Sequence, residues 1–512
     1  MSELNLMEDE YVRPQLLHGR WLLGLVVVAA LPTLILWPFL GAGFVSDDVF
    51  FGQLYTIRSW SDTLFGLWPH SLGRTSGWRP MALISYALSA NTFGGAPESY
   101  RLLNYLLHGV SGALLASIVS TLTRNRYAGL VSGLLFAVHP IVHENVLWIS
   151  GRTYPLAAVF SLALFRWDLG SRARAYWLRH SVGVVLFIAA LASYEFAVVL
   201  PIVLGMLALV RKERSTSGIA SNLAPYVIVL LAYLAFRWLW LTDLAADVMV
   251  AARASQWVPG VGQVGTRLLR NSLFFGLRLL AWPWFDRASD ITIDFRAVWT
   301  TGIVILAAVR LFRVRASRGM AVFWLLWVGV FFAPVATYAG FSDRFGYLSA
   351  AGIAGLLGSA AVSRASRPTL AGASIVLVAI ATTAALWTVA LRAHGRDWVN
   401  AGVVAERVIA QTLEKEPGPA EPAELHFVGI PARVGSALVF LTYFPQAVWD
   451  RYPDSARRNA TFFVSWEPVG DVVSRLQQVP SRRRVSVYEW LPRSQELVLR
   501  WTASASPTSI DP

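Results

Sequence analysis

Residues 21–44 read WLLGLVVVAALPTLILWPFLGAGF, and the acid pair Asp47-Asp48 follows after two intervening residues. The run is long enough to cross a bilayer, which takes about 20 apolar residues. Arg13 and Arg20 precede it, so the positive-inside rule predicts a cytoplasmic N-terminus. The acid pair should therefore emerge on the outer face, where adjacent carboxylates raise each other's pKa and seek a cation or a hydroxyl donor. A polar helix end is the simpler interpretation of the same pair.

The composition is that of an integral membrane protein. Of the 512 residues, 55% are hydrophobic and only 15% are charged, which is unlike a soluble enzyme. The formal net charge is +13, but the arginines cluster in short loops between apolar segments. This placement indicates membrane topology rather than binding to nucleic acid, so no nucleic-acid partner is expected. The absence of cysteine excludes disulfides, thiolate metal ligands and a cysteine nucleophile.

Apolar segments along the chain predict an all-α polytopic membrane protein with about eleven transmembrane helices. The basic loops between them belong inside, which places the N-terminus inside, the C-terminus outside and residues 243–296 on the outer side. Two amphipathic segments, 49–68 and 264–282, predict helices that lie in the membrane interface or re-enter it. The predicted spans are 21–44, 100–122, 127–139, 153–168, 181–193, 195–210, 222–242, 297–312, 319–337, 345–363 and 369–391.

The composition changes at about residue 397. We predict a transmembrane domain over residues 1–396, followed over 397–512 by a polar linker and a small soluble α/β domain on the outer face. Stretches such as ELHFVGIP, ATFFVSW and VSVYEWL are typical of its strands. None of its residues forms a catalytic pattern.

Four groups of polar residues lie at the outer ends of the predicted spans. Ionisable residues at membrane depth are energetically costly and usually mark a substrate path. Several of them on one face favour a single site over independent helix caps. The groups are Asp47-Asp48; His139, His143, Glu144, Asn145 and Arg152; Tyr194-Glu195; and Ser342-Asp343-Arg344 with Tyr347.

Two of these groups carry their own alternatives. His139 and His143 are four residues apart, which is compatible with two metal ligands on one helical face. Pro140 interrupts a regular helix through both, so contacts to a substrate or to neighbouring side chains are favoured. Arg152 and Arg344 lie in outer loops, where arginine is disfavoured, and each calls for an anionic phosphate or an acidic partner.

One segment carries a family resemblance. Residues 139–160, HPIVHENVLWISGRTYPLAAVF, resemble HPxHxEaVaWIsGRxdLLAalF of the transmembrane O-mannosyltransferases that carry tetratricopeptide repeats, and of their bacterial relatives. The chain departs from that family where Tyr194 replaces a lysine and where the α/β domain replaces the repeats. Further similar elements follow in the same order over residues 20–400: Trp78-Arg79-Pro80, RLLNYLLHGVSGALL, Tyr194-Glu195 with Pro201, SDRFGYLS and Arg396-Asp397-Trp398.

The resemblance implies a GT-C fold and a polyprenyl-phosphate-dependent glycosyltransferase of the plasma (inner) membrane. The enzyme would move a mannose-like hexose or another sugar to a hydroxyl of a protein, or of a glycan or lipid of the cell envelope. Asp47-Asp48 stands where the family has an acidic motif in its first outer loop. The residues themselves allow this chemistry, which needs a carboxylate to take the acceptor proton and positive charge over the departing phosphate.

We therefore expect an inverting transfer with Asp47 as the base. Asp48 would orient the acceptor or hold a divalent cation, Mg²⁺ or Mn²⁺. The residues expected at the donor phosphate are Arg152, Arg344 and one or more of Arg267, Arg270 and Arg278. Those expected to shape the pocket are His139, His143, Glu144, Glu195, Asp343, Tyr347 and Arg79.

Two other classes of protein stay open. A polysaccharide polymerase or ligase would use a large outer loop late in the chain, for which 243–296 is the candidate, but it does not predict an early acid pair. A transporter of lipid-linked sugars would have broken helices at the midplane and two similar halves. The sequence shows neither feature.

Overall fold

A computed structural model describes residues 19–50, 78–170, 175–210, 216–254, 261–283, 291–338, 341–362, 370–440, 444–449, 451–478 and 481–504. The predicted interfacial helix at 49–68 lies outside these residues, apart from the first two. Arg13 and the basic loop at Arg211 lie outside them as well.

The described part of the membrane domain is a bundle of α-helices, and a helix coincides with each of the eleven predicted segments. The helices are α1 (Gly19–Leu36), α2 (Pro80–Phe93), α3 (Pro97–Thr123), α4 (Arg126–Val138), α5 (His143–Leu147), α6 (Thr153–Gly170), α7 (Tyr176–Leu191), α8 (Leu200–Val210), α9 (Thr216–Ala254), α10 (Val261–Leu279), α11 (Phe295–Arg313), α12 (Arg318–Phe332), α13 (Tyr347–Ala361) and α14 (Leu370–Lys415).

Within the described residues, six helical stretches are long and apolar enough to cross a membrane. A seventh would be α4 together with residues 140–147, a pair bent by 51°. Pro140 explains the bend, because it has no N–H to donate and holds the preceding His139 in an extended conformation, with ψ 124°. The count of eleven spans stays a prediction.

Small residues let the helices of the bundle approach closely. A Cβ at Gly109 of α3 would collide with the carbonyl of Ala29 in α1, and one at Gly358 of α13 would collide with Ser132 in α4. In a lipid phase, where burial of apolar surface drives association weakly, such close contacts contribute much of the packing energy.

The polar groups predicted on the outer face lie together at one end of the bundle. The Ser150 N–H donates to Asp48, and His143 contacts Asp343, so three of the four groups are in contact. Arg124, from a loop expected inside, ends α3 at the end opposite the buried Arg101 that contacts the acid-pair segment. The acid pair and this basic loop therefore lie at opposite ends of the bundle, and which end faces outward stays a prediction.

The C-terminal domain is a small α/β unit, as the sequence predicts. Its sheet has the order β4-β1-β5-β6, with β1 parallel to β4 and β5 and with β6 antiparallel to β5. Its elements are β1 (Ala423–Val428), β2 (Arg433–Val434), β3 (Ala437–Leu438), α15 (Phe444–Trp449), α16 (Asp454–Arg457), β4 (Ala460–Ser465), α17 (Val469–Gln477), β5 (Arg484–Leu491) and β6 (Glu496–Ala503).

The predicted boundary at 396/397 falls inside a helix. The backbone of α14 continues without a break from Leu370 to Lys415, and the sheet begins only at Ala423. The change in composition therefore marks the point from which α14 faces the C-terminal domain, through contacts such as Asp397 with Ser436. The domain lies at the acid-pair end of the bundle, where the Ser46 N–H donates to the Val439 carbonyl at 2.7 Å.

Because the basic loops and the C-terminal domain lie at opposite ends of the bundle, we expect residues 400–512 on the outer face. A fluorescent protein that matures only in the cytoplasm, fused after Pro512, should give no fluorescence. The same reporter fused after Arg313, which we place inside, should fluoresce. A bright fusion at Pro512 would mean that the number of crossings differs by one and that the acid pair faces the cytoplasm.

Candidate active site

Asp48 is the enclosed member of the acid pair, which lies in a 3₁₀ turn, Ser46–Phe50. Its side chain is fully buried, and its Oδ1 accepts a 3.0 Å hydrogen bond from the Ser150 N–H. Its Oδ2 is buried without a hydrogen-bond partner among the described residues. Burial raises the pKa of Asp48 to about 7, against the attraction of Arg101 and with a further increase from the charge of Asp47.

Asp47 is the more accessible carboxylate, because it is only half-buried. Burial raises its pKa, and the nearby guanidinium of Arg344 is the strongest influence that opposes the rise. An acceptor hydroxyl could reach Asp47 with less rearrangement than it would need to reach Asp48.

Arg101 holds the backbone that leads into the acid pair. It is fully buried, and its guanidinium donates to the Leu147 carbonyl at 2.8 Å and to the Gly43 carbonyl at 2.6 Å. It also donates to the carbonyls of Leu40 and Ala42. The sequence analysis missed this residue, although an arginine inside the apolar segment 100–122 is itself a signal of a buried polar role.

Arg344 differs from the other buried arginines, because its guanidinium has no hydrogen bond or ion pair within the described residues. It is half-buried and lies over aromatic rings, 5.0 Å from the centre of Trp148 and 5.4 Å from that of Phe345. Its main chain is held firmly, since its N–H donates to Glu144 at 3.1 Å and its carbonyl accepts from Asn145 at 3.1 Å. A positioned cation of this kind is suited to an anionic ligand.

A second group of charges lies nearby. Glu195 accepts from Arg79 at 2.9 and 3.1 Å and from Arg237 at 3.3 Å, so one carboxylate is shared by two guanidinium groups. The Arg79 guanidinium lies 4.4 Å from the ring centre of Tyr194, whose hydroxyl accepts from that of Tyr154 at 2.7 Å. The sequence analysis missed Arg237, because it lies inside a predicted span.

The two tyrosines connect this second group to Arg344. The side chains of Tyr154 and Tyr194 lie close enough to Arg344 to raise the pKa of its guanidinium, and so does that of Asp47. The structure therefore brings Asp47, Arg344, Glu195 and Arg79 into one neighbourhood, as the sequence predicts for a single site.

Asp343 and Arg278 form a buried ion pair. The Arg278 guanidinium donates to both carboxylate oxygens of Asp343, with 2.9 and 3.1 Å from Nε. His143 donates to the same carboxylate at 2.9 Å and accepts from the Trp398 indole at 3.1 Å. Burial alone would raise the pKa of Asp343, but Arg278 and His143 hold it well below its ordinary value. Arg278 is thus engaged with Asp343, which does not support its predicted role at the donor phosphate.

Arg152 is likewise engaged within the protein. It is fully buried, and all three of its guanidinium nitrogens donate hydrogen bonds. Its acceptors include the Asn104 side chain at 2.8 Å, the Tyr100 carbonyl at 2.8 Å and the Ser85 carbonyl at 2.9 Å. It braces α2 against α3, and this geometry does not support the predicted contact with phosphate.

His139 and Tyr347 are also structural in this arrangement. The His139 ring donates to the Leu279 carbonyl at 3.1 Å and accepts from the Ile141 N–H at 3.3 Å, which excludes a free nitrogen for a metal. Tyr347 is fully buried and its hydroxyl lies 2.7 Å from Nδ1 of His108. Neither side chain lines the neighbourhood of Asp47.

The two remaining predicted arginines lie earlier along α10. Arg267 is nearly buried and donates to Gln263 at 3.1 Å, whereas Arg270 is exposed and contacts Asn271 at 3.3 Å. Asn271 anchors the helix, because its amide donates to the carbonyls of Ala336 and Tyr338. A contact of Arg267 or Arg270 with lipid phosphate stays a prediction.

Among the described residues, no group of three or more His, Asp or Glu side chains could hold a metal ion. The acid pair offers two carboxylates. Mg²⁺ is usually bound through one or two carboxylates together with substrate phosphates and water. A divalent cation at Asp48 would therefore fit only if the donor phosphate supplied further ligands.

The helical bundle and the charged site at one of its ends define a polytopic membrane protein with a GT-C-like fold. The crystal structure of the oligosaccharyltransferase of Archaeoglobus fulgidus in its apo form superposes with a TM-score of 0.50. The superposition covers 88% of this chain and 65% of that chain at 12% sequence identity, so it shows the fold alone.

Part of the chain is similar in sequence to transmembrane O-mannosyltransferases. It is 31% identical over 284 residues to the protein O-mannosyl-transferase Tmtc2 of Drosophila melanogaster, which covers 51% of this chain and 30% of that protein. It is 30% identical over 154 residues to the human protein O-mannosyl-transferase TMTC3, which covers 28% of this chain and 16% of that protein. The chain thus matches less than a third of the length of either relative. No family model matches it.

The buried ion pair predicts a measurable loss of stability. Asp343→Asn leaves the Arg278 charge buried and unpaired, and breaking a buried pair in this way typically costs ~3–5 kcal/mol. The thermal midpoint of the purified variant in detergent should therefore fall clearly. Arg270→Gln, on the exposed side of α10, is the matched control and should unfold like the wild type. An unchanged midpoint for Asp343→Asn would show that the pair does not hold this end together.

Proposed function

We propose that this protein is a glycosyltransferase that moves a sugar from a polyprenyl-phosphate donor to an acceptor hydroxyl at the outer face of the membrane. The observation that carries the proposal is the closeness of Asp47, a half-buried carboxylate, to Arg344, whose guanidinium has no hydrogen bond or ion pair within the described residues. A donor with an apolar tail and an anionic headgroup matches a cation held at the end of an apolar helical bundle. The family of O-mannosyltransferases supports a hexose such as mannose and a protein hydroxyl as the first pair to test.

The proposed reaction is a single displacement. The acceptor oxygen attacks C1 of the sugar, its proton passes to Asp47, and the bond between C1 and the phosphate oxygen breaks. Polyprenyl phosphate leaves with the bonding electrons, and the configuration at C1 is inverted. Arg344 stabilises the negative charge that develops on the leaving phosphate, and preorganised charge of this kind is usually the largest catalytic contribution.

The two carboxylates divide their roles through their surroundings. Asp48 is enclosed and accepts a hydrogen bond from the Ser150 N–H, so it stabilises the turn. It also shares the acidic charge of the pair. Asp47 faces the cation and takes the proton. Because adjacent carboxylates titrate as a pair, the apparent pKa values that control the rate belong to both residues.

The charges around Glu195 add to the positive potential near Arg344. Arg79 and Arg237 together carry one more positive charge than Glu195 neutralises. This excess lies beside Tyr194, at the position where the resembled family has a lysine. We assign the two arginines to the electrostatic support of the donor phosphate.

The test uses the full-length protein in lipid nanodiscs with a panel of radiolabelled polyprenyl-phosphate sugars and with hydroxyl-bearing peptides and glycans. Transfer to an acceptor from a polyprenyl-phosphate sugar, and not from a nucleotide sugar, would support the proposal. Passage of the donor across a vesicle membrane without transfer would instead indicate a transporter. Growth of a repeating polymer would indicate a polymerase.

Removal of the base is the sharpest variant. Asp47→Asn keeps the shape of the side chain but cannot take the proton, so the rate of transfer should fall by roughly 10²–10⁴-fold. Folded yield and donor binding should stay close to those of the wild type. If Asp47→Asn is active and Asp48→Asn is inactive, the two roles are exchanged. Wild-type rates in both variants would remove the acid pair from the mechanism.

Removal of the cation should act on the donor. A charge-assisted contact contributes about 1.5–3 kcal/mol, so Arg344→Gln should raise the donor KM by about tenfold or more. Arg344→Lys keeps the positive charge but lacks the planar guanidinium group, so it should recover part of the lost donor affinity. Arg458→Gln, at an exposed position of the C-terminal domain, is the control and should leave the donor KM unchanged. An unchanged KM in Arg344→Gln would place the phosphate elsewhere.

A further inference from the structure

We infer that a hairpin of the C-terminal domain, residues 433–439, is a positioning element of the active site. We call this hairpin the clasp. It contacts the acid-pair turn on one side and, on the other, Glu144, whose carboxylate accepts from the Arg344 N–H. Its consequence for catalysis rests on the proposed function, whereas its effect on the backbone does not.

The clasp is a minimal hairpin whose turn requires glycine. Strands β2 and β3 pair through two residues each, and Gly435 in the turn has φ +55°. A Cβ at Gly435 would lie 2.5–2.7 Å from the carboxylate atoms of Asp397 in α14. A side chain is therefore excluded both by the backbone conformation and by the closeness of α14.

Ser436 anchors the clasp to the membrane domain. Its N–H and its hydroxyl donate to Asp397 at 2.9 and 2.8 Å, and Nδ1 of His394 lies 2.7 Å from the same hydroxyl oxygen. Because the hydroxyl proton is given to Asp397, His394 acts as the donor to the oxygen. The serine is buried, so these bonds are shielded from water.

One arm of the clasp holds the acid pair. The Val439 carbonyl accepts from the Ser46 N–H at 2.7 Å, and Ser46 directly precedes Asp47. Ser46 has φ +53°, a conformation that a non-glycine residue keeps only where its surroundings hold it. On the other side of this loop, Gly402 of α14 packs against Gly43. A Cβ added at Gly402 would lie 2.6 Å from the Gly43 nitrogen.

The other arm contacts Glu144, the residue that holds the Arg344 backbone. Arg433 places its Nη1 3.6 Å from Oε1 of Glu144, which is fully buried. The opposite carboxylate oxygen of Glu144 accepts from the Arg344 N–H at 3.1 Å and from the Ser342 hydroxyl. Arg433 therefore supplies a counter-charge to the carboxylate that fixes the Arg344 backbone.

The two arms act on the two residues that the mechanism needs in register. One arm bonds Ser46, which precedes the base Asp47, and the other pairs with Glu144, which holds the backbone of the cation Arg344. A misplacement of about 1 Å can lower a rate by roughly 10²-fold. The C-terminal domain thus contributes to transfer through the clasp without touching the substrate.

The first test measures the backbone alone. Hydrogen exchange of the peptide that contains residues 40–50 is followed by mass spectrometry on full-length protein in nanodiscs. Gly435→Ala should speed exchange of the Ser46 amide by about tenfold or more, because its acceptor is displaced. Gly470→Ala, where an added Cβ meets nothing within 4 Å, is the control and should exchange like the wild type. Equal exchange in folded Gly435→Ala and wild type would overturn the inference.

The second test separates the two arms by kinetics. Gly435→Ala should lower kcat by roughly 10²-fold, while Arg433→Gln should mainly raise the donor KM because it acts through Arg344. Gly470→Ala should show neither change. If Gly435→Ala does not fold, Ser436→Ala, which removes the anchoring hydroxyl without a clash, provides the same comparison.

The outcomes distinguish the two proposals. Faster exchange in Gly435→Ala together with a wild type that transfers no sugar would support the clasp and overturn the proposed function. Faster exchange with wild-type kcat in Gly435→Ala would overturn the catalytic part of the inference. Faster exchange with lowered kcat, and with Gly470→Ala unchanged, supports both.

Discussion

The buried ion pair between Arg278 and Asp343 holds the acid-pair end of the bundle together. A charge in a low-dielectric interior is tolerated only with a partner, so the pair brings α10 to the turn that starts at Asp343. His143 and Trp398 extend the same chain of hydrogen bonds to α5 and α14. Four elements that are distant in sequence therefore meet at one point, and the site is built beside it.

Arginines at this end fall into two kinds. Arg101 and Arg152 donate hydrogen bonds to main-chain carbonyls and side chains. They therefore stabilise loops that have no regular secondary structure. Arg344 is held through its backbone instead, which leaves its guanidinium for a ligand. The residue type is the same, so the difference lies in which atoms satisfy the side chain and in burial, which is complete for Arg101 and Arg152 and partial for Arg344. A buried arginine thus indicates a ligand site only after its hydrogen-bond partners are known.

The C-terminal domain takes part in the site although none of its own residues suggests chemistry. The helix α14 passes from the bundle into this domain without a break, and the domain returns through the clasp to Ser46 and Glu144. Membrane domain and soluble domain are therefore one unit around the acid pair. The proposed transfer depends on that unit, because a base and a cation carried by separate loops need a common support to stay in register.

Hydrophobicity summed over about 20 residues is a local property, so the sequence alone determined the membrane class, the helical segments and the groups at their outer ends. The same holds for the α/β character of the C-terminal domain, since alternating strands are visible in short stretches. The partner of each charge depends on contacts between residues far apart in the chain. Only the tertiary structure therefore showed that Arg278 and Arg152 are engaged, whereas the Arg344 guanidinium has no bonded partner in the described part of the chain. It also showed that Arg237 and Arg101 lie near the site and that the clasp reaches it. The structure also showed that the last long helix continues through the predicted domain boundary at 396/397 to Lys415, because a helix continues through its own hydrogen bonds whatever its side chains face.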